Sequence, residues 1–285
     1  MTSKTNPLPH LDTDYWIRHF ERNQENRPEP PWDAPIKVSS HAFPSLLQSL
    51  REFELGDGGG PAGLIAFNAQ SFRCSTEDIR KIVDLWFDEE KEHSRLLGET
   101  VKRFGGKRLN SHWSFTLFCL LRKVLGVAFE LQILTLTELV STSYYTLLRR
   151  HCPDPVVKAV CKLILRDESG HVRFQNDRLA AMGRSRFGLR NRLWRWQFWI
   201  CGYGAATVLW LSHNPAIRKQ GGSTLEFYTN VEKQIGTFLH QLDCKALCRG
   251  KPRIGLVSRL THFIDRYRPS VFAHRHFPSI FKTNY

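Results

Sequence analysis

Several kinds of protein are excluded by what this sequence does not contain. The opening stretch, "MTSKTNPLPHLDTDYW", has no apolar segment of the kind a secretory signal needs, so none is expected. Seven cysteines (74, 119, 152, 161, 201, 244 and 248) include no Cys-x-x-Cys pair. Cys244 and Cys248 make a lone Cys-x-x-x-Cys, too few donors for zinc, so reduced thiols and a cytoplasmic location are expected. The longest mostly apolar run, 196–211, is about 16 residues, shorter than the ~20 a spanning helix needs. "ELGDGGGPAG" (54–63) is glycine-rich, but no Lys-Ser/Thr pair follows it and Pro61 removes a backbone donor. It is therefore not a phosphate-cradling loop. No repeat of fixed period and no low-complexity tract is present. Acid is also in deficit: 27 acidic against 41 basic side chains give a net charge of +14, which favours acidic partners and says nothing about fold.

What remains is helical, with almost no strand pattern. Residues 1–40 ("RNQENRPEPPWDAPIK" at their centre) are rich in Pro, Asn and charge and read as an irregular N-terminal arm. "HAFPSLLQSLREFEL" carries apolar residues at helical spacing. From Ser75, a cap with Asp78 at the capping-box position, a helix is predicted whose face is Ile79, Ile82, Val83, Trp86 and Phe87 and which Gly105–Gly106 end. A long apolar helix is expected from about Trp113 to Arg150, eased at Gly126. Asp154 caps the next, with Pro155 in its first turn and Gly183 as its stop. Two further helices are expected near 187–212 and 215–248. The domain reading is an arm (1–40), a helical bundle (41–183) and a C-terminal helical extension (184–285).

Two helices carry the same motif. "DEEKEHSRLL" contains Glu90-x-x-His93, and "RDESGHVRF" contains Glu168-x-x-His171. Residues three apart on a helix project to one side, so each pair offers a carboxylate and an imidazole to one point. An acid, Glu89 or Asp167, stands four residues before each histidine and can orient an imidazole through its second nitrogen, on its own helix or a neighbouring one. One such pair is a common accident; two in long amphipathic helices are not. Bundles that hold two metal ions take Glu-x-x-His from two helices and one carboxylate from each of the other two. The intervening helix is apolar yet carries Glu130 and Glu138, and a carboxylate there is costly to bury unless paired or metal-bound. Glu138, at the right distance for an antiparallel helix pair, is favoured as a bridging ligand, with Glu130 as the fallback. The remaining carboxylate is assigned to Asp57, whose other reading is a helix-end or turn aspartate. One Asp and three Glu would balance two divalent cations.

In order and spacing, "FELGDGG", "DEEKEHSRLLGE", "TELVSTSYY" and "RDESGHVRFQNDRLA" resemble the ferritin-like di-iron carboxylate superfamily, and within it a poorly characterised bacterial branch. The likeness spans about residues 45–180. It departs at Leu55-Gly56-Asp57, where the branch has Leu-Gly-Glu followed by serines. The resemblance implies a ferritin-like four-helix bundle with additional C-terminal helices. It also implies a dinuclear iron or manganese–iron site and an oxidoreductase that activates dioxygen to oxidise a small organic molecule, drawing on an unidentified electron donor. Peroxide scavenging is the alternative activity; iron storage is disfavoured by the helices after residue 184. Tyr144 and Tyr145, just after Glu138, are near-site candidates, though core packing is the commoner role for such tyrosines.

The C-terminal third raises a different reading. "RSRFGLRNRLWRWQFWICGYGAATVLWLS" joins a basic, tryptophan-bearing run to an apolar one. This suits a helix packed across the bundle, or an anchor on an anionic membrane surface at the inner face of the membrane, better than it suits nucleic acid. A non-enzymatic helical interaction or membrane-surface module, its metal site degenerate, would need neither Glu-x-x-His pair; a homodimer is the other association expected.

Overall fold

A computed structural model describes residues 11–57, 77–124, 127–184 and 188–249, which form eight α-helices and no strand. In chain order they are α1 (Thr13–Glu25), α2 (Phe43–Asp57), α3 (Glu77–Arg103), α4 (Trp113–Val124), α5 (Val127–His151), α6 (Pro155–Ala181), α7 (Leu189–Arg218) and α8 (Thr224–Arg249). Met1–Leu247 group as one compact unit and Cys248–Tyr285 as another. The expected all-α fold is observed. No helix of the described residues is long and apolar enough to cross a membrane.

Four helices surround the site. α2 packs along α3, α3 along α6 and α6 along α5. The α2–α3 pair is antiparallel: Phe43 at the start of α2 meets Phe104 just past the end of α3, with ring centres 5.3 Å apart, whereas Ser94 Oγ in the middle of α3 donates to the Glu54 carbonyl near the end of α2. α7 lies against both α2 and α5. The interior between them is apolar and aromatic, with Leu46, Leu96, Leu136, Tyr144, Ile164 and Phe198 fully enclosed. Each such side chain contributes about 1.5–3 kcal/mol relative to exposure.

Local signals explain most helix ends. Acidic Glu77 and Asp78 begin α3, and Lys102 and Arg103 finish it, as the helix dipole favours. Gly105, at φ 71°, lets the chain turn out so that Gly106 N–H donates to the Val101 carbonyl. Gly183 does the same for α6. Ser75, the expected cap of α3, and Gly126, the expected easing point between α4 and α5, lie outside the described residues.

Asp154 does more than cap. One of its oxygens accepts the N–H groups of Val156 and Val157, the other accepts the N–H of Lys37, and the Arg103 guanidinium lies 3.3 Å away. Asp154→Ala is expected to cost about 2 kcal/mol, since the cap is lost and Arg103 loses its partner. Urea unfolding measures it; a loss below about 0.5 kcal/mol would show that neither contact stabilises the fold.

Two expectations need correction. Residues 11–40 are not wholly irregular, because α1 occupies Thr13–Glu25. Asp12 caps it by accepting the Tyr15 N–H, and Trp16 and Phe20 are buried against Trp86 and Phe174. The break expected at 212–215 also does not occur: α7 continues through Pro215 to Arg218. Pro215 cannot donate to the Leu211 carbonyl, but the Asn214 side-chain amide donates to both Trp210 and Leu211 carbonyls, so they keep a partner. The turn comes later, where Gly221 adopts φ 98°.

Candidate metal centre

α3 and α6 run antiparallel, and this sets the centre. Glu89, Glu90 and His93 face Asp167, Glu168 and His171 with the two motifs pointing in opposite chain directions. Each histidine is held by the acid of the opposite helix. His93 Nε2 lies 3.2 Å from Asp167 Oδ2, and His171 Nε2 lies 2.8 Å from Glu89 Oε2. A proton on each Nε2, shared with a carboxylate, leaves the Nδ1 lone pairs turned inward. The acids preceding the two glutamates therefore do orient imidazoles, across the helix pair and not along their own helix.

Inside that frame the donor atoms converge. His93 Nδ1 is 3.5 Å from Glu90 Oε2 and 3.9 Å from Glu168 Oε1. His171 Nδ1 is 3.1 Å from Glu90 Oε1, 3.6 Å from Glu168 Oε2 and 3.8 Å from Glu138 Oε1. Two groups that could each hold a metal ion result: Glu90, His93 and Glu168, and Glu90, Glu138 and His171. The member common to both is Glu90, one oxygen toward each histidine; Glu168 likewise turns one oxygen toward each. Glu138, expected as the bridge, belongs to one group only. It enters from α5, so it approaches from one side, whereas α3 and α6 flank the whole centre. Glu130, the fallback, is buried but belongs to neither group.

Asp57 ends α2 on the His93 side and is in neither group. Its Oδ2 accepts a hydrogen bond of 3.2 Å from Tyr145 OH. Burial and then the charge of Glu90 push its carboxyl well above the ordinary range, so Asp57 does sense the cluster. Tyr145 thus stands next to the centre, while Tyr144 turns away from it. Tyr144 OH is 2.5 Å from Ser49 Oγ, which is 2.8 Å from His213 Nδ1. Burial drives His213 down to about 3, which leaves its ring neutral. This polar group between α2, α5 and α7 has no counterpart in the sequence reading, because its three members lie on three separate helices.

The unpartnered atoms test whether a cation fits. His93 Nδ1, His171 Nδ1, both Glu138 oxygens and Glu168 Oε2 are buried without a hydrogen-bond partner. Burial pushes Glu138 and Glu168 upward, and the neighbouring carboxylates add to the push. Burial alone would lower the two histidines, but Asp167 and Glu90 raise His93, and Glu168, Glu89 and Glu90 raise His171. Glu90, which burial would raise, is held low instead by its contacts with His171 and His93. Apart from Glu90, which the two imidazoles already satisfy, these directions report a deficit of positive charge, which inward-facing N and O donors let a metal supply. The Glu90 side chain is 15 % exposed, against 0 % for both histidines.

Sequence reading missed one member of this region. The Arg27 guanidinium, from the segment after α1, lies 2.9 Å from Asp167 and 3.8 Å from Glu89, touching both acids that hold the histidines. Arg166 joins from α6 at 2.9 Å from Asp167. Phe20 of α1 covers His171 at 6.0 Å between ring centres.

Comparison with known proteins finds no match: no family model, no curated protein and no solved structure matches the chain. The class that the fold and site define is an all-helical protein with a buried cluster of glutamates and histidines able to hold metal.

Proposed function

We propose that this chain binds two metal ions, iron with iron or manganese with iron, and is an oxidoreductase that activates dioxygen to oxidise a small organic substrate. The observation that carries this reading is Glu90, common to two donor groups that each contain one inward-facing imidazole nitrogen. On this reading the bundle is ferritin-like, as the order of motifs suggests. Nitrogen and carboxylate donors suit iron and manganese better than thiolate-seeking metals.

Charge supports the pairing. With their protons displaced by metal, Glu90, Glu138, Glu168 and Asp57 would carry four negative charges, matching two divalent cations, while Arg27 and Arg166 face the outer acids. When bound, such a pair supplies redox equivalents and a Lewis-acidic place for oxygen chemistry. The chain's own residues do the rest. Asp167 and Glu89 fix the two imidazole rings. Phe20 and Trp86 flank His171 and keep water from that side. Tyr145 holds the Asp57 carboxyl in place by donating its hydroxyl to Oδ2. Glu90, partly exposed, marks the side from which a small molecule enters.

Anaerobic titration of metal-free protein with ferrous iron tests the reading. About two ions per chain are expected, and a Glu168→Ala/His171→Ala variant should lose at least one while its circular dichroism remains helical. A wild-type chain that takes up neither ferrous nor manganous ion would end the proposal.

A further inference from the structure

The long helix α7 is buried on one side and bare on the other. Leu189, Leu193, Trp196, Ile200, Tyr203 and Leu211 recur at spacings of three and four, apart from a gap at Thr207, and all are exposed. Three of them exceed 60 % exposure by a clear margin: Leu189 at 73 %, Trp196 at 69 % and Leu211 at 66 %. This period places them on one continuous stripe, whereas Trp194, Phe198, Ala206 and Trp210 of the same helix are buried in the core. From Leu189 to Leu211 the stripe is roughly 33 Å long at the helical rise. Contiguous apolar surface on this scale marks a contact surface more often than chance.

Charge identifies what covers it. α7 contains no aspartate or glutamate, and no charged residue between Arg195 and Arg218. Exposed Arg190 and Arg192 stand at one end of the stripe, and exposed Arg218 and Lys219 at the other. Arg190, Arg192 and Arg218 form no ion pair among the described residues. Arg195 pairs with Asp243 of α8, and Glu232 of α8 is engaged by the Tyr203 hydroxyl, so the neighbouring acids are already occupied. A second copy of α7 laid along the stripe would place arginine against arginine in either direction. Nucleic acid would find leucine and isoleucine where phosphate contacts are needed. A protein partner would need a groove to receive this convex ridge. A fluid anionic lipid surface conforms to it, takes up tryptophan and tyrosine rings at its interface, and meets both basic ends with headgroup phosphate.

We infer that α7 docks the protein on an anionic phospholipid surface, with the Leu189–Leu211 stripe in the interface and the arginines at both ends on headgroups. This inference does not depend on the metal reading.

Vesicle co-sedimentation of the full chain tests it. Vesicles of phosphatidylcholine with about one third phosphatidylglycerol should pull the protein down, pure phosphatidylcholine should do so much less, and salt at about 0.5 M should weaken the binding. Trp196→Asp/Ile200→Asp and Arg190→Glu/Arg192→Glu should each lower the anionic-vesicle affinity at least about tenfold. Both pairs face solvent, so unchanged thermal melts and ferrous-ion uptake separate lost docking from lost folding. Failure of the full chain to bind either vesicle, equal binding to both, or equal binding by the variants would overturn the inference. So would a solution dimer that Trp196→Asp/Ile200→Asp converts to monomer, because the stripe would then belong to a second copy.

Discussion

Arg27→Met is expected to cost about 3–5 kcal/mol of folding stability and to weaken metal binding about 10–100-fold. The arginine is the only cation shared by Glu89 and Asp167 among the described residues, and both carboxylates are fully buried. Its removal leaves Glu89 hydrogen-bonded to the His171 ring, and Asp167 facing His93 and Arg166. A buried acid in that position takes up a proton or draws in water. Either outcome loosens the imidazole it was holding, and Nδ1 no longer points where a metal would need it. The stability loss is read from urea unfolding of metal-free protein, and the affinity loss from competition with a chelator. Arg27→Lys, which keeps a charge but not the planar fork, should fall between the two. Metal affinity unchanged alongside lower stability would make Arg27 a structural strap and nothing more.

Acid titration adds an independent check on the same contact. Burial favours a protonated Asp167, but the His93 hydrogen bond and charge, then Arg27 and Arg166, hold its carboxyl down at about 2. A folded value below the ordinary 3.8 contributes stability above 3.8 that is lost as pH falls toward 2. Without Arg27 the folded value moves up toward 3.8, so the stability that Asp167 contributes above 3.8 shrinks and the loss between pH 3.8 and 2 should become smaller than in the unaltered chain.

How much of this was legible in the sequence follows from the range of each signal. Glu90-x-x-His93 and Glu168-x-x-His171 are local, three residues apart on helices whose apolar periodicity is clear, so position and partner were both readable. Glu138 was readable for a different reason: a carboxylate in an apolar helix needs an explanation wherever it occurs. Which carboxylate is shared depends on how three helices approach one another, and no spacing along the chain encodes that, so Glu90 was not foreseen in that role. Arg27 lies far from both of its partners in sequence, in a stretch whose prolines suggested only an irregular arm. α1 was more accessible than that, because Asp12 as cap and Trp16 and Phe20 one turn apart are ordinary helix signals. Pro215 misled because proline's cost depends on whether a neighbour adopts the orphaned carbonyl, as Asn214 does. The glycines at 105 and 183 gave correct helix ends because positive φ is a purely local demand.

The thermal stability gained from ferrous or manganous ion should grow as pH rises. In the metal-free chain Asp57, Glu138, Glu168, His93 and His171 all have folded values above their ordinary ones. The folded state thus holds protons more tightly than the unfolded chain at five places. For the carboxyls, stability is lost as pH climbs above the ordinary 3.8 to 4.5, and for the imidazoles as it climbs above 6.5. Among the acids and histidines of the centre, Glu90 and Asp167 run the other way, and both are already ionised well below neutrality. Protons therefore supply in the metal-free chain part of the positive charge that cations would supply, and raising the pH removes it. Metal binding displaces those protons, so it strengthens over the same range in which the metal-free fold weakens. At a free metal concentration about 1,000 times the dissociation constant, one site contributes about 4 kcal/mol, or roughly 8–16 °C in a chain of this size. Melting curves with and without manganous ion at about pH 6 and pH 8.5 should show the larger shift at the higher pH. Glu168→Ala/His171→Ala should show little shift at either. Equal shifts at both pH values would mean that metal and protons do not compete for these five groups, and a full shift in the double variant would place the ion elsewhere on the chain.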